Sequence, residues 1–291
     1  MDERNPFLNE TRIRAALRAL GLRPSRQMGQ NFLIDGDALQ TIVAAAELRP
    51  DDVVVEVGPG LGVLTWELVR SAGAVVAVEL DKRLAERLRQ ELAAPNLSVV
   101  QGDILRLPPE ELLAPGEPGD GPRPYKVVAN LPYAITSPVL RHFLEARRKP
   151  ELMTVLVQWE VAERIAAGPG DLSVLAHAVQ IYAEPEVVAR VPSQSFIPQP
   201  AVDSAVLRLR VRERPPVAVD DPEALMRVIK AGFLHARKQL GNALPSGLAA
   251  MGLPADKARV LEALAAAGVE PSRRAETVRL EEWAAVYNAL R

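Results

Sequence analysis

The sequence predicts a doubly wound α/β domain, a mostly parallel sheet of seven strands covered by helices, followed by a small all-helical domain. Three observations carry this. From Asp52 onward, continuous β-branched runs alternate with helical patterns, as in a parallel sheet buried on both faces. A glycine-rich turn, "GPGLG", joins the first strong strand to its helix. After the proline-rich stretch "RPPVAVDDP" (214–222) the text turns helical only, which predicts a linker and a second domain.

The elements follow in order. "NETRIRAALRALG" (9–21) is an amphipathic helix, and "DGDALQTIVAAAEL" (35–48) is a second one with Asp35 or Asp37 as its cap. Strands are expected at 53–57, 74–80, 97–101, 125–130 and 152–158, each a short run rich in Val, Ile or Leu. Helical segments begin at Leu61, Asp81, Ser137 and Trp159, and a Pro/Gly-rich loop fills 108–124. "EVVARV" (186–191) and "SAVLRLRV" (204–211) have no helix between them, so they are expected to form an antiparallel pair at one sheet edge. The tail reads as helices near 223–234, 257–268 and 280–290, giving domains 1–216 and 217–291.

With 291 residues, 48% hydrophobic and 25% charged, this is the composition of a soluble globular protein. No apolar run reaches membrane-spanning length and the polar start "MDERNPFLNE" has no signal-peptide core, so a cytoplasmic protein is expected. The absence of cysteine excludes disulfides and thiolate chemistry. His142, His177 and His235 are too scattered for metal-ligand spacing, so no metal is expected. A net charge of −2 is neutral on nucleic acid, but it is unevenly placed: residues 1–34 hold six arginines against three acids, and "RLRVRER" (208–214) and "HARKQ" (235–239) are locally basic. Charge runs of this kind also serve simply as solvated faces.

The glycine turn points to a nucleoside cofactor. Gly58, Gly60 and Gly62 let backbone approach a ligand, and Glu79 ends the next strand 21 residues after Gly58, where an acid accepts both hydroxyls of a ribose. Pro59 removes an amide that a dinucleotide pyrophosphate would want, which favours the phosphate-free S-adenosylmethionine. Asp103, in "QGDIL", is placed to accept from an adenine amine. The alternative is a tight turn flanked by surface acids.

"NLPY" (130–133) follows the strand at 125–130, where open α/β sheets bind ligands. Leu131 precedes proline and is confined to extended conformations, so its carbonyl is aimed. The Asn130 side-chain oxygen and the Leu131 carbonyl can then both accept from one NH₂ group, favouring the pyramidal nitrogen whose lone pair attacks a sulfonium methyl. Tyr133 can stack on the base. A strand-to-helix turn with a buried Asn and a core Tyr is the structural alternative.

"MGQNFL", "EVGPGLGVLT", "VVAVELD", "VVQGDIL", "VVANLPYAITSPVL", "VQWEVAERI", "VPSQSFIPQPAVDSAV", "FLHARKQLGNAL" and "SRRAETVRLEEW" together resemble the bacterial small-subunit ribosomal RNA adenine dimethyltransferases, over nearly the whole chain. The resemblance implies a seven-stranded methyltransferase sheet, S-adenosylmethionine as cofactor, and 16S rRNA in the 30S subunit as partner, two adjacent adenosines near the 3′ end each receiving two methyls. It further implies cofactor contacts by Asn31, Leu33, Gly58, Gly60, Glu79, Asp103 and Asn130, catalytic roles for Asn130, Leu131 and Tyr133, and Phe196 as a second aromatic sandwiching the target adenine. RNA contacts are expected from Arg208, Arg210, Arg237 and Lys238, in a monomer. Ala236 stands where the family commonly has arginine, and the segment after "AERIAAGPGD" is shortened. Two rivals are a 23S rRNA dimethyltransferase of the macrolide-resistance type and a mainly non-catalytic 30S assembly factor. A nicotinamide-dependent oxidoreductase is disfavoured by Pro59.

Overall fold

The structure, a computed structural model, describes residues 5–22, 31–113, 123–253 and 255–291. The chain forms two compact units, one of 1–162 with 186–211 and the other of 163–185 with 212–291. This differs from the linear division at 216/217, because the polypeptide leaves the sheet after its fifth parallel strand, adds to the helical core, and returns.

In the first unit, α1 (Glu10–Ala19) starts at Asn9, whose side chain accepts from the Arg12 amide, and buries Ile13, Ala16 and Leu17. A two-residue strand, β1 (Phe32–Leu33), leads to α2 (Gly36–Ala45), capped by Asp35. The sheet is then laid down by β2 (Val53–Val57), β3 (Ala74–Glu79), β4 (Leu97–Gln101), β5 (Tyr125–Asn130) and β6 (Leu152–Gln158). Between them run α3 (Val63–Ser71), α4 (Lys82–Glu91), the short α5 (Pro109–Leu112) and α6 (Thr136–Leu144). α7 (Trp159–Ala166) starts in this unit and α8 (Val174–Gln180) belongs to the other; β7 (Ala183–Val191), β8 (Phe196–Ile197) and β9 (Ser204–Val211) then complete the strands. The "LSVLAH" stretch read from sequence as a shortened loop thus begins α8.

The seven strands order as β4-β3-β2-β5-β6-β9-β7. β2 to β6 pair in parallel, and β9 runs antiparallel to β6, inserted between it and the edge strand β7. The chain winds outward from β2 one way through β3 and β4, then the other way through β5 and β6. The switch therefore falls between β2 and β5, where such sheets open a ligand crevice at the carboxyl ends of the strands. Separately, β1 pairs antiparallel with β8, Phe32 facing Ile197 and Leu33 facing Phe196.

The second unit adds α9 (Pro222–Phe233), α10 (Leu240–Ala250), α11 (Lys257–Ala266) and α12 (Leu280–Leu290). Its core includes Leu225, Ile229, Leu244, Leu264 and the fully enclosed Trp283, together with Ala178 and Ile181 of the α8 region. That apolar contact, and the His177 ring bonded to the Val278 carbonyl at 3.2 Å, explain why 163–185 belongs here. α10 carries Pro245 inside it and was not foreseen as a separate helix. Among the described residues no helix is long and apolar enough to cross a membrane, and no group of three or more acids or histidines is placed to hold a metal.

Candidate active site

The crevice at the switch point is lined chiefly by Asn31–Leu33, the β2 turn, the end of β3 and Asn130–Tyr133, and also by Glu56 of β2 and apolar side chains of α2, α3 and α4. Of the residues expected from sequence, Asn31, Leu33, Gly58, Gly60, Glu79, Asn130, Leu131 and Tyr133 all lie on this one wall.

The β2 turn is built by φ > 0 at Gly58 (+67°), Gly60 (+58°) and Gly62 (+85°). Gly60 shows why glycine is required, since a Cβ there would meet the Phe32 ring at 3.1 Å as well as strain the backbone. The Gly60 amide donates to Glu79 Oε2 at 3.0 Å, and the Asp81 amide donates to Oε1 at 2.9 Å. Each carboxylate oxygen keeps a lone pair for a ligand. Burial pushes the Glu79 carboxyl above its ordinary range, and these two amides oppose that.

Asn130 ends β5, and its Nδ2 donates to the Asn31 carbonyl at 3.0 Å. This fixes which way the amide faces: with the NH₂ held by the Asn31 carbonyl, the Oδ1 is left as acceptor. Tyr133 is half-buried and its hydroxyl shares a 2.7 Å hydrogen bond with Ser204 Oγ, at the start of β9. Burial raises the phenol's pKa, so Tyr133 stays neutral.

Three expectations differ from what is found. Asp103 does not line the crevice; it lies beyond β4, where its Oδ1 caps the turn at Leu105 (3.0 Å) and its Oδ2 is 3.5 Å from Arg106. Phe196 does not face Tyr133 across the crevice. Its backbone pairs with Leu33 and its ring is 2% exposed in the apolar core, so as folded it is packing, not a stacking face. Arg208 and Arg210 are occupied: Arg208 contacts Glu47 at 2.8 Å and Glu186 at 2.6 Å, and Arg210 is bonded to Glu47. Strand alternation placed these arginines on one face, but acids distant in sequence neutralise them. By contrast, Arg237 and Lys238 are exposed in the turn between α9 and α10. Met28 to Gln30 of "MGQNFL", Arg23 and Arg26 of the basic arm, and 114–122 of the proline-rich loop lie outside the described residues.

Sequence reasoning missed Glu56. It lies within β2, is 1% exposed, lines the crevice, and its Oε2 has no hydrogen-bond partner. Burial pushes its carboxyl up to about 8; the neighbouring Thr65 hydroxyl tempers this, and Glu79 adds to it. A charged residue in the otherwise apolar "VVVEV" was the available signal. A buried acceptor without a donor suits a ligand that brings a cation, and the bare glycine turn suits one that brings no phosphate cradle requirement. S-adenosylmethionine, with an ammonium, a sulfonium and no phosphate, meets both conditions.

The fold and this crevice are those of an S-adenosylmethionine-dependent methyltransferase. Comparison with known proteins narrows the class: the model of the ribosomal RNA adenine dimethylase family matches residues 22–291, and the chain belongs to that family. Ribosomal RNA small subunit methyltransferase A of Moorella thermoacetica is 45% identical over 285 residues, covering 96% of each chain. The protein of the same name from Geobacillus kaustophilus is 41% identical over 282 residues, covering 96% of this chain and 95% of that one. Among solved structures, the 23S rRNA methyltransferase ErmE superposes with a TM-score of 0.66 at 34% identity, over 89% of this chain and 99% of that one. A dimethyladenosine transferase from Plasmodium falciparum gives a TM-score of 0.72 at 23% identity, over 88% and 95%, a likeness of fold.

Proposed function

We propose that this chain transfers methyl groups from S-adenosylmethionine to the N6 amine of adenosines in small-subunit ribosomal RNA, two on each of two adjacent targets. The observation that carries the reading is the Asn130 amide, whose NH₂ is held by the Asn31 carbonyl so that its oxygen is an acceptor at the crevice mouth.

The bound cofactor supplies an electrophilic methyl group. The chain supplies the rest. Glu79 would hold the ribose hydroxyls, and Glu56 offers its orphaned oxygen to the cationic amino-acid end. Asn130 Oδ1 and the Leu131 carbonyl accept from the exocyclic amine, drawing its lone pair out of the ring, while Tyr133 stacks on the base. No general base is needed, because the alkylated nitrogen loses its proton readily; orientation and exclusion of water carry the rate. Asp103 remains a candidate for the adenine amine of the cofactor, one strand outward from Glu79. A sandwiching role for Phe196 requires the β1·β8 pair to open. The helical unit, through Arg237 and Lys238, is proposed to meet RNA phosphates.

Two findings favour the small subunit over 23S RNA. Relatives bearing the small-subunit name reach 46% identity against 34% for ErmE, and that of Moorella thermoacetica covers 96% of this chain against 89% for ErmE. Asn130→Ala should abolish label transfer from tritiated S-adenosylmethionine to unmethylated 30S subunits, by a factor of at least about 100, while cofactor binding survives in part. Unchanged turnover would remove Asn130 from the mechanism. Mass spectrometry of the rRNA fragments gives substrate, site and methyl count together, and modification found in 23S RNA would reverse the assignment.

A further inference from the structure

The end of β6 carries a feature the reaction has not used. Trp159, the first residue of α7, follows Gln158, which pairs with Ser204, the residue whose hydroxyl holds Tyr133. The Trp159 amide donates to the Asp203 carbonyl at 3.0 Å, so its backbone is pinned one residue from that anchor. Its indole is half-buried, unlike the enclosed Trp283, and the Arg190 guanidinium lies 4.7 Å from its ring centroid.

Arg190 is oriented as well as near. Its Nε donates to Asp203 Oδ2 at 2.9 Å, and Asp203 Oδ1 accepts from the Ser193 amide at 3.0 Å, at the head of the turn that leads to Phe196. Asp203 thus ties together the start of α7 through its backbone carbonyl, and the Arg190 cation and the 193–197 turn through its carboxylate. Arg190 and Asp203 have side chains 58% and 29% exposed, and a pair so open to water contributes little to stability. An aromatic plane with an oriented cation against it, at the carboxyl end of the strand beside the one that ends in Asn130, suits a π-face ligand.

Resting on the RNA substrate reading above, we propose that Trp159, backed by Arg190, is a stacking platform for an unpaired nucleobase of the substrate next to the target adenine. A base extruded into the crevice leaves its neighbour unstacked, and an aromatic surface beside the mouth replaces the lost partner. Stacking of this kind does not read base identity. It fixes the approach of the strand, and it leaves the cofactor pocket untouched.

The test compares Trp159→Phe, Trp159→Leu and Trp159→Ala in steady-state methylation of unmethylated 30S subunits, with the target positions read by mass spectrometry. Loss of a stacked base predicts that KM for subunits rises about tenfold in the Leu and Ala variants. The Phe variant should stay within about threefold of wild type, and KM for S-adenosylmethionine should be unchanged in all. Leu keeps the bulk and apolarity of the site but lacks a π-face, so a Leu variant that matches wild type in KM for subunits overturns the platform. So does a Phe variant as impaired as Leu, which would mark the effect as packing. A wild-type protein unable to methylate 30S subunits overturns the substrate reading and this proposal with it, whereas an active wild type with an indifferent Leu variant overturns the platform alone.

Discussion

Glu56 makes the crevice sensitive to pH. With an ordinary carboxyl value of 4.5 in the unfolded chain and about 8 when buried, it keeps its proton through a range in which the unfolded chain has released it. Folding then binds more protons than unfolding, so the cofactor-free protein loses stability from this residue as pH rises from 4.5 to 8. Glu56→Gln should therefore raise the melting temperature relative to wild type more at pH 8 than at pH 5, while shrinking the stabilisation that added S-adenosylmethionine produces. Scanning fluorimetry at both pH values, with and without cofactor, reads the two effects; an equal shift at both would show that Glu56 does not titrate. Tyr133 bears on methyl count. A monomethylated amine has one hydrogen left, so only one of Asn130 and Leu131 can be satisfied, and stacking must hold more of the base. With Phe196 packed away, that falls to Tyr133. Tyr133→Ala should depress the second transfer more than the first, seen as a higher ratio of monomethyl to dimethyl adenosine in digested rRNA.

At the scale of elements, the helical unit depends on two close approaches, of α10 to α9 and of α9 to α12. A Cβ at Gly247 of α10 would lie 2.0 Å from the Ala231 carbonyl oxygen of α9, and one at Gly232 would lie 2.3 Å from the Trp283 ring. Backbone has no room to yield there, so Gly247→Ala should destabilise the protein by about 2 kcal/mol or more, measured as a drop in the denaturant midpoint. How legible each element was depends on whether its determinants are local. β2 to β6 were plain because each is a continuous β-branched run, and α2 because Asp35 caps an apolar face. α10 was hidden by Gly241, Pro245 and Gly247, which read as breakers, though the two glycines serve close packing. The β1·β8 pair was invisible: two residues have no periodicity, and their partners lie more than 160 positions apart. That Asn130, Leu131 and Tyr133 face a crevice was legible because proline and an amide at a strand end are poor core material. The amide orientation of Asn130 was not, since it depends on Asn31.

For the whole molecule, net charge conceals where cations are free. Arg208 and Arg210 belong to a network with Glu47 and Glu186, and nearby Lys126, only 4% exposed, donates to the Glu47 carbonyl at 2.6 Å and to Asp52 at 2.8 Å. This cluster braces the amino ends of the central strands, opposite the crevice. Arg237 and Lys238 are exposed, so replacing both with alanine should weaken binding to 30S subunits and make the slope of log K against log salt shallower by about one to two. Arg208→Ala with Arg210→Ala should leave that slope unchanged in a filter-binding titration. A shallower slope there would mean the network opens on the RNA. The family and its cofactor were legible in the sequence because glycine turn, strand-end acid and "NLPY" recur in fixed order. Which arginines are spent internally was not, because their partners come from remote segments.

The bond from Asn130 to Asn31 also couples two parts of the site. The Asn31 carbonyl that orients the acceptor belongs to the strip whose Leu33 lines the cofactor crevice and pairs with Phe196. The wall that receives the cofactor and the acceptor that receives the target amine therefore share one support, so a change in this short strip reaches both sides of the transfer.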